Sequence, residues 1–327
     1  MNKKTNNIVI LISDLGSGGA QRVVCTLAKY WVDCGHPVTV VTLSNPKDDF
    51  FHLPHTVLRQ TLGLNSPSTS LPTAFIRNIQ RVWKLRRILL QVKPKIAIGF
   101  VGPTAALLVV AAVATNIYTI AAERNDPRRQ SFGKIWNLLC YFGYRYANLI
   151  TVNSNAAHMA LRAKYRSKRV LLTPNPIPLT IDGPTLPLPG STILFVGRLH
   201  EQKGLDLLIR AFASLEAPEW SLLIVGEGKD LPVLQKLSEE LGIREKTTFT
   251  GAVSDPTPYY RSADIFALPS RYEGTPNALL EAMSYGLPVV TSNALSGPSE
   301  LIHTSKGGIV TPVENVGALA QGLETLI

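Results

Sequence analysis

Two carboxylates lie eight residues apart in the run RYEGTPNALLEAM, residues 271–283. Glu273 falls in a predicted turn, and Glu281 falls inside the helix that this turn begins. Pro276 suits the first helical turn and Thr275 can cap it, so the helix start presents free backbone N–H groups and the positive end of its dipole. Both carboxylates can accept hydrogen bonds from sugar hydroxyls, Glu273 from a hexose and Glu281 from a ribose.

A second group of polar residues follows a predicted strand near residue 196. Gly197 and Arg198 leave the strand, and Lys203 follows five residues later before a helix-like segment. Two cations at the mouth of a strand can clamp a diphosphate, Arg198 as a planar fork and Lys203 as a point charge. The alternative is a solvated surface pair, because most Lys and Arg side chains face water.

A glycine-rich turn follows the first predicted strand. Residues 16–19 read Gly-Ser-Gly-Gly and lead into an amphipathic segment. Such a turn presents N–H groups and a helix dipole to an anion, with no side chain at Gly18 or Gly19 to block the approach. The same pattern also occurs as simple turn geometry, so the sequence leaves both readings open.

These residues are set within strand-like runs that alternate with helical patterns along the whole chain, which is typical of βαβ units and a parallel sheet. Strands are predicted at residues 8–12, 38–43, 96–100, 118–122, 149–152, 192–196, 221–225, 247–250, 265–268 and 288–291. The proline-rich stretch 174–189 is the predicted linker. The sequence therefore predicts an α/β protein with two Rossmann-like doubly wound domains, 1–180 and 181–327, that face a cleft.

Charge is distributed unevenly between the two halves of the 327-residue chain. Residues 1–182 hold 23 Lys and Arg against 7 Asp and Glu, a formal charge of +16, whereas the remainder holds 10 against 16, or −6. The first half is therefore expected to meet an anionic partner, either a phosphorylated molecule or an anionic membrane surface. No nucleic-acid-binding motif is present, so nucleic acid is not an expected partner.

Other patterns restrict the compartment. The three cysteines form no CxxC spacing, so neither a disulfide framework nor a zinc site is predicted and a reducing cytoplasm fits best. Asp14 interrupts the first apolar run too early for a signal peptide, and we interpret that run as a strand. The low-charge stretch 99–122 is too interrupted to span a bilayer and is predicted to hold a buried helix between two strands.

A basic amphipathic segment covers residues 75–92. It carries Arg81, Lys84, Arg86 and Arg87 among apolar residues. Basic amphipathic helices can lie on anionic membranes, so these four side chains are predicted to face lipid or an acceptor diphosphate. The alternative is an ordinary Rossmann helix with a solvated basic face.

Taken together, these motifs resemble retaining glycosyltransferase family 4, of the GT-B fold. The resemblance covers about residues 8–315, and the Glu-x7-Glu pair followed by Gly-Leu-Pro-Val-Val at 286–290 is its most specific part. It implies a catalytic set and a donor-binding set. The catalytic set is Glu273, Arg198 and Lys203; the donor-binding set is Gly18, Gly19, Gly197, Glu227, Gly251, Asn277, Ala278 and Glu281.

The resemblance also assigns roles within these sets. Arg198 and Lys203 would hold the donor diphosphate, Glu281 the ribose, and Glu273 with Asn277 and Ala278 the donor sugar or its phosphates. Backbone near 225–228 and 249–253 would frame the nucleobase. Retention by front-side attack needs no carboxylate nucleophile. The chain has no DxD motif, so neither a metal ion nor another cofactor is expected.

The first half departs from the family pattern at one position. Many relatives place a His in this half, whereas this chain has Glu123 and Arg124 after a strand. The segment resembles bacterial enzymes that extend lipid-linked oligosaccharides, and Arg124 could orient an acceptor phosphate or the donor. As a structural alternative, Arg124 could pair with Glu123 or Asp126.

The predicted function is transfer of a hexose or N-acetylhexosamine from a UDP-sugar or another nucleotide diphosphate sugar to a polyprenyl-diphosphate-linked or other saccharide. This transfer would take place at the inner face of the cytoplasmic membrane, and the protein would be cytoplasmic and peripheral to that membrane. The alternatives are a sugar-nucleotide epimerase on the same fold and a non-catalytic sugar-nucleotide-binding protein. Family members usually continue past a segment like 319–327 into a helix that returns to the first domain, so a truncation or a substitute contact is expected here.

Overall fold

The chain divides into two compact α/β units, Met1–Pro176 and Ile177–Ile327. A computed structural model describes residues 5–64, 71–124, 132–166, 169–177, 183–188, 190–294, 302 and 307–327, without the side chains of 48, 71–75, 134 and 135. The division between the units lies inside the proline-rich stretch 174–189.

The first unit is built on a seven-stranded parallel sheet with the order β3-β2-β1-β4-β5-β6-β7. Its strands are β1 (Ile8–Ile12), β2 (Val38–Thr42), β3 (Leu58–Thr61), β4 (Ile96–Phe100), β5 (Tyr118–Ala122), β6 (Leu149–Val152) and β7 (Val170–Leu172). Strands β1 and β2 are buried on both faces, which their continuous Ile and Val runs predict for the centre of a parallel sheet.

Helices cover both faces of this sheet. They are α1 (Gly19–Asp33), α2 (Leu71–Val92), α3 (Gly102–Ala111), α4 (Lys134–Tyr146) and α5 (Asn155–Lys164). Helix α3 is apolar on nearly every side, and it is buried between one core cluster that includes α2 and another that includes α4 and α5. The stretch 99–122 is thus a strand, a buried helix and a strand, as predicted.

The second unit repeats the plan with six parallel strands in the order β10-β9-β8-β11-β12-β13. The strands are β8 (Ser191–Val196), β9 (Trp220–Val225), β10 (Thr247–Gly251), β11 (Ile265–Leu268), β12 (Val289–Ser292) and β13 (Gly308–Thr311). The helices are α6 (Leu205–Ala213), α7 (Leu231–Glu240), α8 (Thr257–Ser262), α9 (Asn277–Ser284) and α10 (Val316–Leu326). The predicted pair of doubly wound α/β domains is confirmed.

Sequence patterns located all nine inner strands and the edge strand β10, but they missed the other three edge strands. These are β3, β7 and β13. In the described part of the chain, no helix is both long enough and apolar enough to cross a membrane.

Candidate active site

The loop after β8 carries the two predicted cations. Leu199 is fully buried and anchors this loop, while the side chain of Arg198 is exposed and forms no hydrogen bond or ion pair with the residues that the structure describes. The Nδ1 atom of His200 accepts a hydrogen bond from the backbone N–H of Gln202 at 3.2 Å, which starts a single 3₁₀ turn, Glu201–Lys203. Gly204 follows with φ +66°, and a Cβ there would overlap the carbonyl oxygen of Pro269.

The loop after β11 brings Glu273 to Lys203. Lys203 Nζ lies 2.5 Å from Glu273 Oε1, with side-chain exposures of 15% and 7%. The hydroxyl of Ser270 donates to the same oxygen at 2.7 Å, and the hydroxyl of Ser292 donates to the Ser270 carbonyl. The structure therefore joins two residues 70 positions apart that the sequence analysis assigned separately.

Arg271 fastens the two loops together. Its guanidinium makes two hydrogen bonds of 2.8 Å to the carboxylate of Asp206, and its Nε bonds to Glu314 at 2.9 Å. Its Nη1 also donates to the carbonyl of Glu201 at 2.7 Å, and its backbone N–H donates to Gln202 at 2.8 Å. The hydrogen bonds that Arg271 donates to Asp206 raise the pKa of Arg271, against the effect of burial. This clamp had no signal in the sequence, because its members are far apart along the chain.

Helix α9 places Glu281 and the adjoining amides beside this loop. The helix begins at Asn277, with Pro276 in the N-cap position and no side-chain hydrogen bond from it. The predicted first-turn proline and Thr275 cap are therefore wrong by one residue. Glu281 is 5% exposed in the second turn of the helix, and Asn277 and Ala278 occupy its first turn.

Backbone atoms at the ends of β8, β9 and β10 form the side of the predicted nucleobase site. Gly226 donates to the carbonyl of Gly251 at 2.9 Å, and Gly197 donates to Val225 at 2.9 Å. A Cβ on Gly226, whose φ is +148°, would overlap the carbonyl of Gly197, so only glycine allows these strand ends to approach this closely. Glu227 is exposed next to this junction, and its carbonyl accepts from Leu199 at 2.8 Å.

In the first unit, Asp14 shapes the glycine-rich turn. Its carboxylate accepts hydrogen bonds from the Ser13 hydroxyl at 2.7 Å, the Gly16 amide at 3.0 Å and the Gln21 side-chain amide at 2.9 Å. Burial alone would raise the pKa of Asp14, but these hydrogen bonds outweigh burial and lower it. Gly18 is the N-cap of α1 and Gly19 its first residue. In the sequence pattern Asp14 marks only the end of an apolar run, and nothing there indicates this role.

Glu123 and Arg124 stand at the carboxyl end of β5. Glu123 is 2% exposed and accepts from the Tyr144 hydroxyl at 2.5 Å and from the Arg124 amide at 2.8 Å. The charge of this carboxylate adds to burial and raises the pKa of Tyr144. The Arg124 guanidinium does not form the proposed ion pair with Glu123, and Asp126 lies outside the described residues.

Helix α2 corrects the prediction for the basic segment. Arg81 bonds to the carbonyl of Leu64, Lys84 to that of Leu62 at 2.9 Å, and Arg86 to those of Ala111 at 2.9 Å and Val113 at 2.7 Å. Three of the four cations predicted to face lipid therefore bond to the backbone of their own unit. The fourth, Arg87, stacks 4.8 Å from the ring centroid of Trp83.

Helix α2 also exposes an apolar stripe to solvent. Ile76, Ile79 and Trp83 are each more than half exposed at helical spacing. A similar stripe on α4 comprises Leu138, Phe142 and Tyr146, where the two aromatic rings stack with centroids 6.3 Å apart.

The two doubly wound parallel sheets have the architecture of a glycosyltransferase of the GT-B type. Residues 17–180 match Glycosyltransferase Family 4, and residues 182–327 match Glycosyl transferases group 1. The chain therefore belongs to glycosyltransferase family 4, and the predicted resemblance is confirmed.

Two relatives and one solved structure match this chain over nearly its full length. The chain is 27% identical to an uncharacterized glycosyltransferase of Haemophilus influenzae over 98% of this chain and 90% of that protein. It is 28% identical to the N-acetylgalactosamine-N,N'-diacetylbacillosaminyl-diphospho-undecaprenol 4-alpha-N-acetylgalactosaminyltransferase of Campylobacter jejuni, over 97% and 89%. The solved sucrose-phosphate synthase of Thermosynechococcus elongatus has the same fold, with a TM-score of 0.82 at 19% identity over 98% and 89% of the two chains.

Proposed function

We propose that this glycosyltransferase moves a hexose or N-acetylhexosamine, with retention, from a UDP-sugar or another nucleotide diphosphate sugar to a lipid-linked saccharide. The product would enter a bacterial cell-surface polysaccharide or glycan. The observation that carries the proposal is the contact of Lys203 with Glu273, on the loop after β8 that also carries the exposed side chain of Arg198. It combines a cation for a diphosphate with a carboxylate for sugar hydroxyls at one sheet edge.

The chemistry follows from the charges at this edge. The bond between the anomeric carbon and the phosphate oxygen breaks, and its electron pair goes to the diphosphate. The acceptor hydroxyl attacks the same face of the sugar and gives its proton to the departing oxygen. Arg198 and Lys203 stabilise the charge that develops there, which is where fixed cations lower a barrier most.

The other predicted residues hold the rest of the donor. Glu281 accepts from the ribose hydroxyls, while Asn277 and Ala278 offer amides at the start of α9 to the sugar or its phosphates. Gly251 has open space where a side chain would stand, so a flat base can lie there against bare backbone. We propose that no metal ion takes part, since Arg198 and Lys203 provide the positive charge that a divalent ion would otherwise provide.

The acceptor assignment is supported by the Campylobacter jejuni relative, whose name describes transfer to a diphospho-undecaprenol-linked saccharide. A lipid-linked acceptor implies work at a membrane surface. We propose that the protein binds the inner face of the cytoplasmic membrane through the stripes on α2 and α4. Helices α2 and α4 contain no Asp or Glu, so no carboxylate on either helix repels the anionic headgroups.

The donor and the stereochemistry can be tested together. Purified protein is incubated with UDP-, GDP- and ADP-sugars and a bacterial membrane extract, and products are detected by mass spectrometry. We expect one UDP-sugar to be consumed. The product should be α-linked, which the coupling of its anomeric proton in NMR identifies. A β-linked product would contradict retention, and release of an epimerised UDP-sugar without any acceptor would indicate an epimerase.

Membrane binding has a separate test in liposome sedimentation. The variant Trp83→Ala/Phe142→Ala should lose most of its binding to anionic vesicles, because each buried aromatic contributes about 1.5–3 kcal/mol. The matched control is Arg86→Gln. The Arg86 side chain bonds to backbone carbonyls of its own unit, so this variant should pellet like the wild type. Equal pelleting of the aromatic variant and the wild type would remove the stripes from the proposal.

A further inference from the structure

Arg124 is a cation that the described residues leave mostly unused. Its Nη1 donates to the carbonyl of Thr173 at 3.3 Å, and its Nε is enclosed without a hydrogen-bond partner. Its guanidinium carbon lies 5.5 Å from the centroid of the Phe100 ring. A guanidinium has five N–H donors, and only one of them has a partner among the residues that the structure describes.

The environment of Arg124 is unfavourable for a charge. Desolvation lowers the pKa of Arg124 to about 10, although the charge of Glu123 partly offsets this effect. No carboxylate of the described residues forms an ion pair with its guanidinium. A partly buried cation with so few partners costs stability, and such groups are concentrated where a ligand provides the opposite charge.

The backbone of Arg124 is nevertheless held firmly. Its N–H donates to Glu123 at 2.8 Å, and its carbonyl accepts from the Asn153 side-chain amide at 3.2 Å. Tyr144 holds the other oxygen of the Glu123 carboxylate at 2.5 Å. Glu123 is thus a positioning residue, and Arg124 is fixed in place before any ligand arrives.

The location is a ligand-binding edge. Arg124, Asn153 and Thr173 follow β5, β6 and β7, so they stand together at the carboxyl ends of three neighbouring parallel strands. Parallel α/β sheets bind their ligands at this edge. The hydrogen bond from Nη1 to Thr173 is exposed to solvent, so the tip of the side chain can be reached.

We infer that Arg124 binds a phosphoryl group of the acceptor, as a cation site separate from Arg198 and Lys203. A planar guanidinium with unused donors is suited to two parallel hydrogen bonds with a phosphate. The second unit has its own cations for the donor diphosphate, whereas Arg124 belongs to the unit whose half of the sequence carries the excess positive charge. This inference rests on the proposed lipid-linked acceptor and names the residue that recognises its diphosphate.

The test measures binding of farnesyl diphosphate, a short polyprenyl diphosphate, by calorimetry in an Arg198→Ala/Lys203→Ala protein. Removing those two cations prevents the probe from reporting on the donor site. We expect Arg124→Ala to weaken farnesyl diphosphate binding at least tenfold in this background, and Arg124→Lys to recover part of it. In the otherwise wild-type chain, Arg124→Ala should leave UDP affinity within twofold.

Three results would overturn the inference. The first is an unchanged affinity for farnesyl diphosphate in Arg124→Ala. The second is loss of all farnesyl diphosphate binding in the Arg198→Ala/Lys203→Ala protein itself. The third is a parallel fall in the UDP affinity of Arg124→Ala, which would assign Arg124 to the donor. The matched control is Arg145→Ala, an exposed cation on α4 that should change neither affinity.

Thermal melting distinguishes a binding role from a structural one. Because Arg124 is a poorly compensated, partly buried cation, Arg124→Met should melt at or above the wild-type temperature. A fall of more than about 4 °C would indicate a structural residue and contradict the inference. If no nucleotide sugar supports transfer, the proposed function fails, but the dependence of farnesyl diphosphate binding on Arg124 is still measured.

Discussion

Replacing Lys203 with alanine removes the cation that both contacts Glu273 and, by our proposal, holds the donor diphosphate. The lost charge-assisted contact to phosphate should weaken binding of UDP or GDP by about 1.5–3 kcal/mol. That range corresponds to about 10- to 150-fold in the dissociation constant. The variant should also be less stable by about 1–3 kcal/mol, because Glu273, only 7% exposed, loses its cation and keeps the Ser270 hydroxyl.

A double-mutant cycle separates these two effects. Calorimetry with UDP and denaturant unfolding are measured for Lys203→Ala, Glu273→Gln and the double variant. Glu273→Gln should keep UDP affinity within threefold, since the carboxylate serves the sugar, but it should abolish most sugar transfer. The double variant should recover part of the stability that Lys203→Ala loses, because it no longer buries a carboxylate that has lost its cation.

The matched control for this experiment is Lys236→Ala on α7. Lys236 pairs with Glu240 at 3.4 Å, but both side chains are well exposed, so the change should be nearly neutral. If Lys203→Ala bound UDP and GDP like the wild type, Lys203 would be a positioning residue for Glu273 and the diphosphate clamp would be wrong.

Three further predictions concern other parts of the chain. Burial alone would raise the pKa of Asp206 from 3.8, but its hydrogen bonds with Arg271 lower it. The stability lost in Asp206→Asn should therefore be fully visible near pH 6–7 in denaturant unfolding and should shrink below pH 4. A difference in stability that stays constant with pH would contradict this. Gly204→Ala should lower the free energy of unfolding by about 1–3 kcal/mol and reduce UDP affinity, because it strains φ and collides with Pro269; unchanged melting would refute the steric argument. Sugar transfer should persist in EDTA, and a complete loss restored by Mg²⁺ or Mn²⁺ would show that a metal takes part.

The parts of the fold that the sequence predicted are those with a strong hydrophobic pattern. The central strands are apolar because both of their faces are buried, and they were located within one or two residues. The edge strands have weaker signals, since β3 has the sequence Leu-Arg-Gln-Thr with no buried residue and β7 has only three residues. Pairing along one side alone does not require an apolar run, so pattern reasoning found one edge strand, β10, and missed the other three.

The candidate site shows the same limit in side-chain contacts. The sequence spacing identified Lys203 and Glu273 as candidate site residues, because glycines and a predicted helix start follow them in their loops. It could not predict the clamp of Arg271 on Asp206, which depends on two loops meeting in space. Spacing also could not predict that cations of α2 donate hydrogen bonds to backbone carbonyls. Amphipathic periodicity gives the side of the helix on which a residue lies, but not its hydrogen-bond partner.

The Arg271 clamp has a consequence for the thermodynamics of donor binding. Its hydrogen bonds lie entirely within the chain, so the loops after β8 and β11 are joined whether or not a nucleotide is present. Loops ordered in advance have little conformational entropy left to lose when a ligand arrives. The donor is therefore expected to meet a rigid surface, and its association rate should follow diffusion and charge attraction rather than the folding of a loop around it.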